Sequence, residues 1–385
     1  MNINNLIGRS CQDNQVVKIS VSNGRISSLE PVAEETDLWL APGFIDLQVN
    51  GYGGFNFNRG SWTTGDTSEN SIGEIVRLLA RSGTTQHCPT IVTNDFENTC
   101  DSLATIARAV SENTELAAAL PAIHLEGPYL SSQDGARGAH PIEWVRDPDW
   151  NEFQRMQEAA NGLIKIVTIA PERDNSIAFI ERAVASGVVV SIGHTAANSG
   201  QIEDAARAGA SLCTHLGNGS HAVLPRWPNY IWDQLGTDEL TACFIADGFH
   251  LPATTLRAMM RCKGIERAIL VSDAVALGGL APGIYDDGRH EIQPSGNVVL
   301  AGTPYLAGAG FLLDHCAAFA LNCGMSLAGM ARATSFNPAR VLNLPSKGRI
   351  EIGCDADLVS FRVPQNGAAL EILFTMRNGE IVYQV

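Results

Sequence analysis

Glu126 closes the run IHLEGP, His194 the run VVVSIGHT, His215 the run SLCTHLG, His250 the run ADGFH and Asp273 the run ILVSDA. Each is a metal-competent or acid–base side chain at the end of a short β-rich stretch, and that regularity carries more than any single motif. Glu126, His194 and His215 supply one carboxylate and two imidazoles from three different strands. Such a set suits a catalytic divalent ion with a coordination position left for water, whereas a closed structural site draws on cysteine. An ion held this way acidifies a water and polarises a substrate carbonyl, while a nearby carboxylate takes the proton and passes it to a leaving group. Asp273 is the natural carboxylate for that work. A lone histidine after an apolar run is more often a packed structural residue, so the joint placement carries the reading.

The elements that must position these residues follow from the pattern. Short β-rich runs at 84–92, 122–125, 164–169, 188–192, 212–216, 242–246 and 268–271 alternate with helical stretches such as 102–110 and 175–185. Strand–helix alternation implies a parallel sheet. No glycine-rich phosphate fingerprint follows an early strand, and residues 42–344 have the length of a TIM-type (β/α)8 barrel, in which chemistry gathers at the C-terminal strand ends. The two ends of the chain resemble each other instead. The alternating run 16–30 holds Asn23-Gly24 and the run 371–385 holds Asn378-Gly379, both hairpin-turn signals. Neither end has the apolar surface to fold alone, so residues 1–41 and 345–385 are expected to form one small β-sandwich domain.

Composition excludes several classes. A chain of 385 residues, 45% hydrophobic and 17% charged, buries a large core, and its net charge of -15 argues against nucleic acid or an anionic membrane as partner. No run of 18 apolar residues occurs, and the start MNINNLIGRSCQDNQ lacks a signal-peptide pattern, which points to a cytoplasmic protein. Nine cysteines without a CxxC pair read as free thiols in a reducing compartment.

The motifs PGFIDLQVNGYGGFNFN, HLEGPYL, GHT, THLGN, ADGFH and VSDA, with the tail KGRIEIGCDADLV, together resemble the N-acetylglucosamine-6-phosphate deacetylase family of the amidohydrolase superfamily, in order and over nearly the whole chain. The resemblance implies a barrel with a small β-sandwich from both termini, a homodimer, and hydrolysis of the acetamide of an amino-sugar phosphate. It makes Glu126, His194 and His215 the ligands of a divalent ion, Zn2+ first with Fe2+, Mn2+ or Co2+ as alternatives, and Asp273 the general base and acid. Gln48-Val49-Asn50 stands where many relatives carry an H-x-H pair, which implies one metal; Asp46 is expected to fix the strand end by hydrogen bonding.

The same resemblance implies substrate contacts. His140 polarises the acetyl carbonyl, His250 meets the phosphate or a sugar hydroxyl, Asn218 and Gly219 offer donors to the sugar phosphate, and Arg226 reaches the phosphate in the neighbouring subunit. A guanidinium fork suits that anion. Arg137 is a further cation on the loop of His140. His124 is expected to support the ligands and His87 to pack, with no role for His221, His290 or His315. After His215 the chain departs from the family in Gly217-Asn218-Gly219-Ser220 and a longer segment HAVLPRWPNYIW. That change leaves room for another acylated amino sugar, such as the galactosamine analogue or an unphosphorylated sugar, or for an N-acyl amino acid; a non-catalytic sugar-binding regulator is the reading from a different class.

Overall fold

In the computed structural model, which describes residues 3–60, 67–285, 288–365, 367 and 369–385, eight parallel strands follow one another in chain order. They are β1 (Phe44–Val49), β2 (Thr84–Val92), β3 (Ile123–Glu126), β4 (Ile164–Ile169), β5 (Val189–Ile192), β6 (Leu212–Cys213), β7 (Thr241–Ile245) and β8 (Ala268–Val271). The sheet closes where the Asp273 N–H donates to the Gln48 carbonyl at 3.0 Å and Val49 bridges Ala274 in parallel. Closure removes both sheet edges and makes the TIM-type barrel that the alternation predicted.

Strand pleating sorts the side chains into two cores. Phe244 and Leu270 alternate with Cys243, Ile245, Ile269 and Val271; the former join the large cluster beneath the helices, the latter a separate cluster with Ile166, Leu212 and Ala339. The helices carry their own local signals. Glu69–Ala80 starts on Ser68, whose side chain accepts from the Ser71 N–H, and buries Ile72, Ile75, Val76 and Leu79 on one stripe. Ser199–Arg207 starts in a full capping box between Asn198 and Gln201.

The two ends pair as expected. A seven-stranded sheet runs in the order Glu380–Gln384, Glu371–Arg377, Leu358–Arg362, Trp39–Pro42, Ile3–Ser10, Val16–Ser22, Arg25–Pro31. It bends until its two edge hairpins touch: a Cβ on Gly24 would lie 2.9 Å from the Asn378 carbonyl oxygen. Val21, Ile26, Leu358 and Met376 share the resulting small core. Buried Asp357 ties this sheet to the barrel, accepting from Gln86 Nε2 at 2.7 Å, Lys347 Nζ at 2.6 Å and the Asn378 N–H at 2.6 Å.

Two features differ from the expected pattern. The run at 212–216 is strand only over Leu212–Cys213, because His215 takes φ 28°, a left-handed value that a strand cannot continue through. After β8 the chain inserts a three-stranded antiparallel sheet, Gly283–Tyr285, His290–Ile292 and Val298–Leu300, before returning at Ala309, whose N–H donates to the Asp273 carbonyl at 3.1 Å. That insert walls one side of the barrel mouth. Its strands are three residues each, too short for a periodicity signal.

Candidate active site

Glu126 is the last residue of β3, and His194, His215 and Asp273 each follow their strands β5, β6 and β8 by two residues. The barrel therefore brings four side chains, from positions as far apart as 126 and 273, to one mouth. Ten described non-glycine residues have positive φ; seven are asparagines, and the other three are His194 (49°), His215 (28°) and Asp273 (52°). Histidine and aspartate in this region cost of order 1 kcal/mol each, a strain that persists where the surroundings over-determine it.

Glu126 Oε1 lies 3.0 Å from His215 Nε2 and 3.3 Å from His194 Nε2, and the two imidazole nitrogens are 3.0 Å apart. A tetrahedral ion with bonds of about 2.0–2.1 Å requires donor atoms about 3.3–3.4 Å apart, so this buried triangle fits a small divalent metal. His140 Nε2 also approaches His194 Nε2, at 3.3 Å, and Glu126, His140 and His194 form a metal-competent cluster. Glu126 pairs with His194 and His215, so these three make the tighter set. Burial raises the Glu126 pKa, but its hydrogen bonds and the charges of the two histidines outweigh that and hold it well below the usual carboxylate range. His215 shows the opposite balance: burial lowers its pKa, and the hydrogen bond and charge of Glu126 raise it by more.

Asp273 stands beside this triangle. Gln48 Nε2 donates to both Glu126 Oε1 (2.9 Å) and Asp273 Oδ1 (3.0 Å), and Asn50 Nδ2 donates to the same Asp273 oxygen at 2.8 Å. The amides at the end of β1 thus bind carboxylates as donors. Burial, then the nearby charge of Glu126, pushes the Asp273 pKa up to about 6. Asp46 does tie strand ends together, accepting from the Gln48 N–H at 3.2 Å and the Ser272 N–H at 3.2 Å.

A chain of buried hydrogen bonds runs through the neighbouring strands. His124 Nδ1 donates to the Leu47 carbonyl (3.0 Å), so its Nε2 accepts from the Thr168 hydroxyl (2.7 Å), which in turn meets Thr214 Oγ1 at 2.6 Å. Burial keeps His124 neutral, with a pKa lowered to about 4. It lies two residues before Glu126 on the same strand. His87 is buried against Phe57, with ring centroids 5.8 Å apart.

A cavity of about 860 Å³ opens over the triangle. His140, on the loop after β3, is buried on its wall with Nδ1 unpartnered, and burial lowers its pKa to about 3, so it is neutral. His250 lines the wall and donates Nδ1–H to Asp247 Oδ2 at 2.7 Å, leaving Nε2 for a ligand. Asn218 and Gly219 line it as well. Gly219 is required there: at φ 57° an added Cβ would sit 2.6 Å from His194 Nδ1. Arg226 is not on the wall; it lies exposed in the segment 222–228, beside Val223 and Trp227, which are 86% and 74% exposed. His221, given no role from sequence, is on the wall, with Nδ1 at 2.9 Å from the Tyr230 hydroxyl. In the sequence Gln48 reads only as a missing histidine. An amide at a strand end gives no local signal that it bridges two carboxylates from other strands.

A parallel eight-stranded barrel with a buried His2Glu donor set against a hydrogen-bonded aspartate defines the class of metal-dependent hydrolases. The profile of the Amidohydrolase family matches residues 39–384. The chain is 32% identical to the N-acetylglucosamine-6-phosphate deacetylase of Bacillus subtilis (strain 168), over 96% of this chain and 94% of that one. It is 35% identical to the enzyme of that name from Bos taurus, over 90% and 84% of the two chains. Its fold matches a mutant N-acetyl-D-glucosamine-6-phosphate deacetylase of Mycobacterium smegmatis, in complex with N-acetyl-D-glucosamine-6-phosphate, with a TM-score of 0.86 at 29% identity, covering 100% and 99% of the chains. The chain belongs to the amidohydrolase family, among its N-acetylglucosamine-6-phosphate deacetylases. No helix among the described residues is long and apolar enough to cross a membrane.

Proposed function

We propose that this protein hydrolyses the acetamide of N-acetylglucosamine 6-phosphate, giving glucosamine 6-phosphate and acetate. The observation that carries the reading is the triangle of Glu126 Oε1, His194 Nε2 and His215 Nε2 with a buried aspartate joined to it through one glutamine amide. Relatives of that activity match nearly the whole chain.

Those three side chains would hold one divalent ion, Zn2+ by preference, with Fe2+, Mn2+ or Co2+ also suited to nitrogen and oxygen donors. When bound, the ion supplies Lewis acidity to the acetyl carbonyl and acidifies the attacking water. Gln48 and Asn50 both donate to Asp273 Oδ1, which leaves Oδ2 to take the water's proton. As the C–N bond breaks, the same carboxyl returns a proton to the nitrogen, because an alkylamide nitrogen leaves poorly as an anion. His140, neutral at physiological pH, has one N–H to offer the carbonyl oxygen as it gains charge. Asn218, the Gly219 backbone and His250 Nε2 supply polar contacts along the wall to the sugar and its phosphate.

A homodimer is part of the same reading, with Arg226 acting in the partner's pocket; the exposed segment of Val223 and Trp227 beside it is the apolar surface that such an interface covers. The cytoplasm is the compartment that suits nine free thiols, six of them buried. Residues 42–344 form the catalytic barrel domain and residues 1–41 with 345–385 the small one, a division supported by the terminal sheet.

Acetate release is measured with zinc-loaded protein on N-acetylglucosamine 6-phosphate, the unphosphorylated sugar and the galactosamine 6-phosphate analogue. A kcat/KM at least about tenfold higher on the first is expected. No turnover of it, or equal turnover of all three, overturns the assignment.

A further inference from the structure

We infer that a second cavity, at the far end of the barrel from the ion-binding triangle, binds a small organic phosphate with an apolar or aromatic body, of the nucleoside monophosphate type. The cavity, of about 570 Å³, lies in the seam between the terminal sheet and the barrel and shares no described wall residue with the one over the triangle. Ser10 and Gln12 line it from the sheet. Pro42, two residues before β1, and Ile265, three residues before β8, place it where the barrel strands start.

Among the described wall residues Arg257, Arg261, Arg332 and Arg349 face a single carboxylate, Glu351, a local excess of cations in a chain whose net charge is -15. Arg332 and Arg349 both stand over the Phe336 ring, with Cζ 4.6 and 5.0 Å from its centroid. Their outer nitrogens meet Glu266 and, at 4.0 Å, Glu351, but the Nε of each is buried without an acceptor. Burial lowers the Arg332 pKa and the charge of Arg340 lowers it further, as expected where cations outnumber anions. Arg257 Nε donates to the Cys323 carbonyl at 2.9 Å, and Arg261 makes no side-chain hydrogen bond or ion pair among the described residues. A buried N–H without an acceptor is costly. A phosphate monoester, with about two negative charges at neutral pH, supplies acceptors to several guanidinium groups at once. Met260, Ile265, Met325 and Ile350 make the rest of the wall apolar. A bare phosphate ion would leave them uncovered, whereas cavities of about 300–1,000 Å³ take a whole small molecule.

AMP is titrated calorimetrically into zinc-loaded wild type, the double variants Arg332→Gln/Arg349→Gln and Arg257→Gln/Arg261→Gln, and Arg226→Ala, with inorganic phosphate and adenosine as further titrants. One AMP binds per wild-type chain, each double variant binds it at least about tenfold more weakly, and Arg226→Ala stays within about threefold of wild type. Phosphate and adenosine, each carrying half of the recognised chemistry, bind wild type at least about tenfold more weakly than AMP. Circular dichroism checks folding; if Arg332→Gln/Arg349→Gln does not fold, the more exposed pair Arg257→Gln/Arg261→Gln decides. No AMP binding to wild type, or unchanged binding in a folded double variant, overturns the inference. So does a loss in Arg226→Ala alone, which would put AMP in the cavity over the triangle, and phosphate binding as tight as that of AMP removes the apolar body. Acetate release takes no part in the readout, so a failure of the deacetylase reading leaves this test intact.

Discussion

Gln48→Leu removes the amide that joins Glu126 to Asp273 while keeping a side chain of similar length in a fully buried position. The lost donors are one N–H to Glu126 Oε1 at 2.9 Å and one to Asp273 Oδ1 at 3.0 Å. Hydrogen bonds to charged groups contribute about 1.5–3 kcal/mol each, and about 1.4 kcal/mol is tenfold in an equilibrium. The Glu126 branch therefore shows in metal affinity, weakened by about 10- to 100-fold, the range typical of partners that orient a ligand. The Asp273 branch shows in turnover at saturating zinc. Asn50 still donates to Asp273 Oδ1 at 2.8 Å, so kcat falls by about tenfold and is not abolished. The two effects separate experimentally: zinc affinity by competition with a chromophoric chelator, kcat by acetate release with zinc in excess. Far-ultraviolet circular dichroism checks that the barrel is intact. If zinc affinity and kcat both remain within about threefold of wild type, the amide only fills space and the bridge contributes nothing to the site.

Asp273→Asn should leave zinc content unchanged and reduce turnover by at least about a thousandfold, because the amide cannot accept the water's proton; activity within about threefold of wild type would remove Asp273 from the mechanism. Gly219→Ala places a Cβ 2.6 Å from His194 Nδ1 at φ 57°, so a loss of about 1–2 kcal/mol from backbone strain is expected, with weaker zinc binding measured by chelator competition. Asp46 tests pH linkage. Burial raises its pKa from 3.8 to about 7, so between those values the unfolded chain ionises while the folded one stays protonated, and stability falls as pH rises through that window. The stability of wild type relative to Asp46→Asn should therefore drop by up to about 1.4 kcal/mol per pH unit from about pH 4 to 7 and level off above, in urea unfolding at fixed pH values; a flat difference would show that Asp46 does not titrate this way.

Local order in the chain determined a great deal. Runs of β-branched residues set three strands to the residue, Thr84–Val92, Ile164–Ile169 and Ala268–Val271, because a buried parallel strand needs only a short apolar run between polar breaks. The Asn-Gly pairs at 23–24 and 378–379 marked both hairpins, since their backbone tolerates positive φ without tertiary help. Residue types at strand ends pointed to Glu126, His194, His215 and Asp273, because a barrel gathers whatever stands there. What the local signals lacked was everything that depends on contacts across many residues. The two hairpins meet each other only once the sheet bends. Gln48 bridges partners 78 and 225 residues away, and no period of about 2 or 3.6 residues encodes such a contact. His140 is buried beside His194 because its loop folds back over the barrel mouth, and the left-handed turns at His194, His215 and Asp273 exist because the closed barrel holds them there against their own preference. Hydrophobic spacing specifies which elements form; the distances at which donors, carboxylates and imidazoles meet are set by barrel closure.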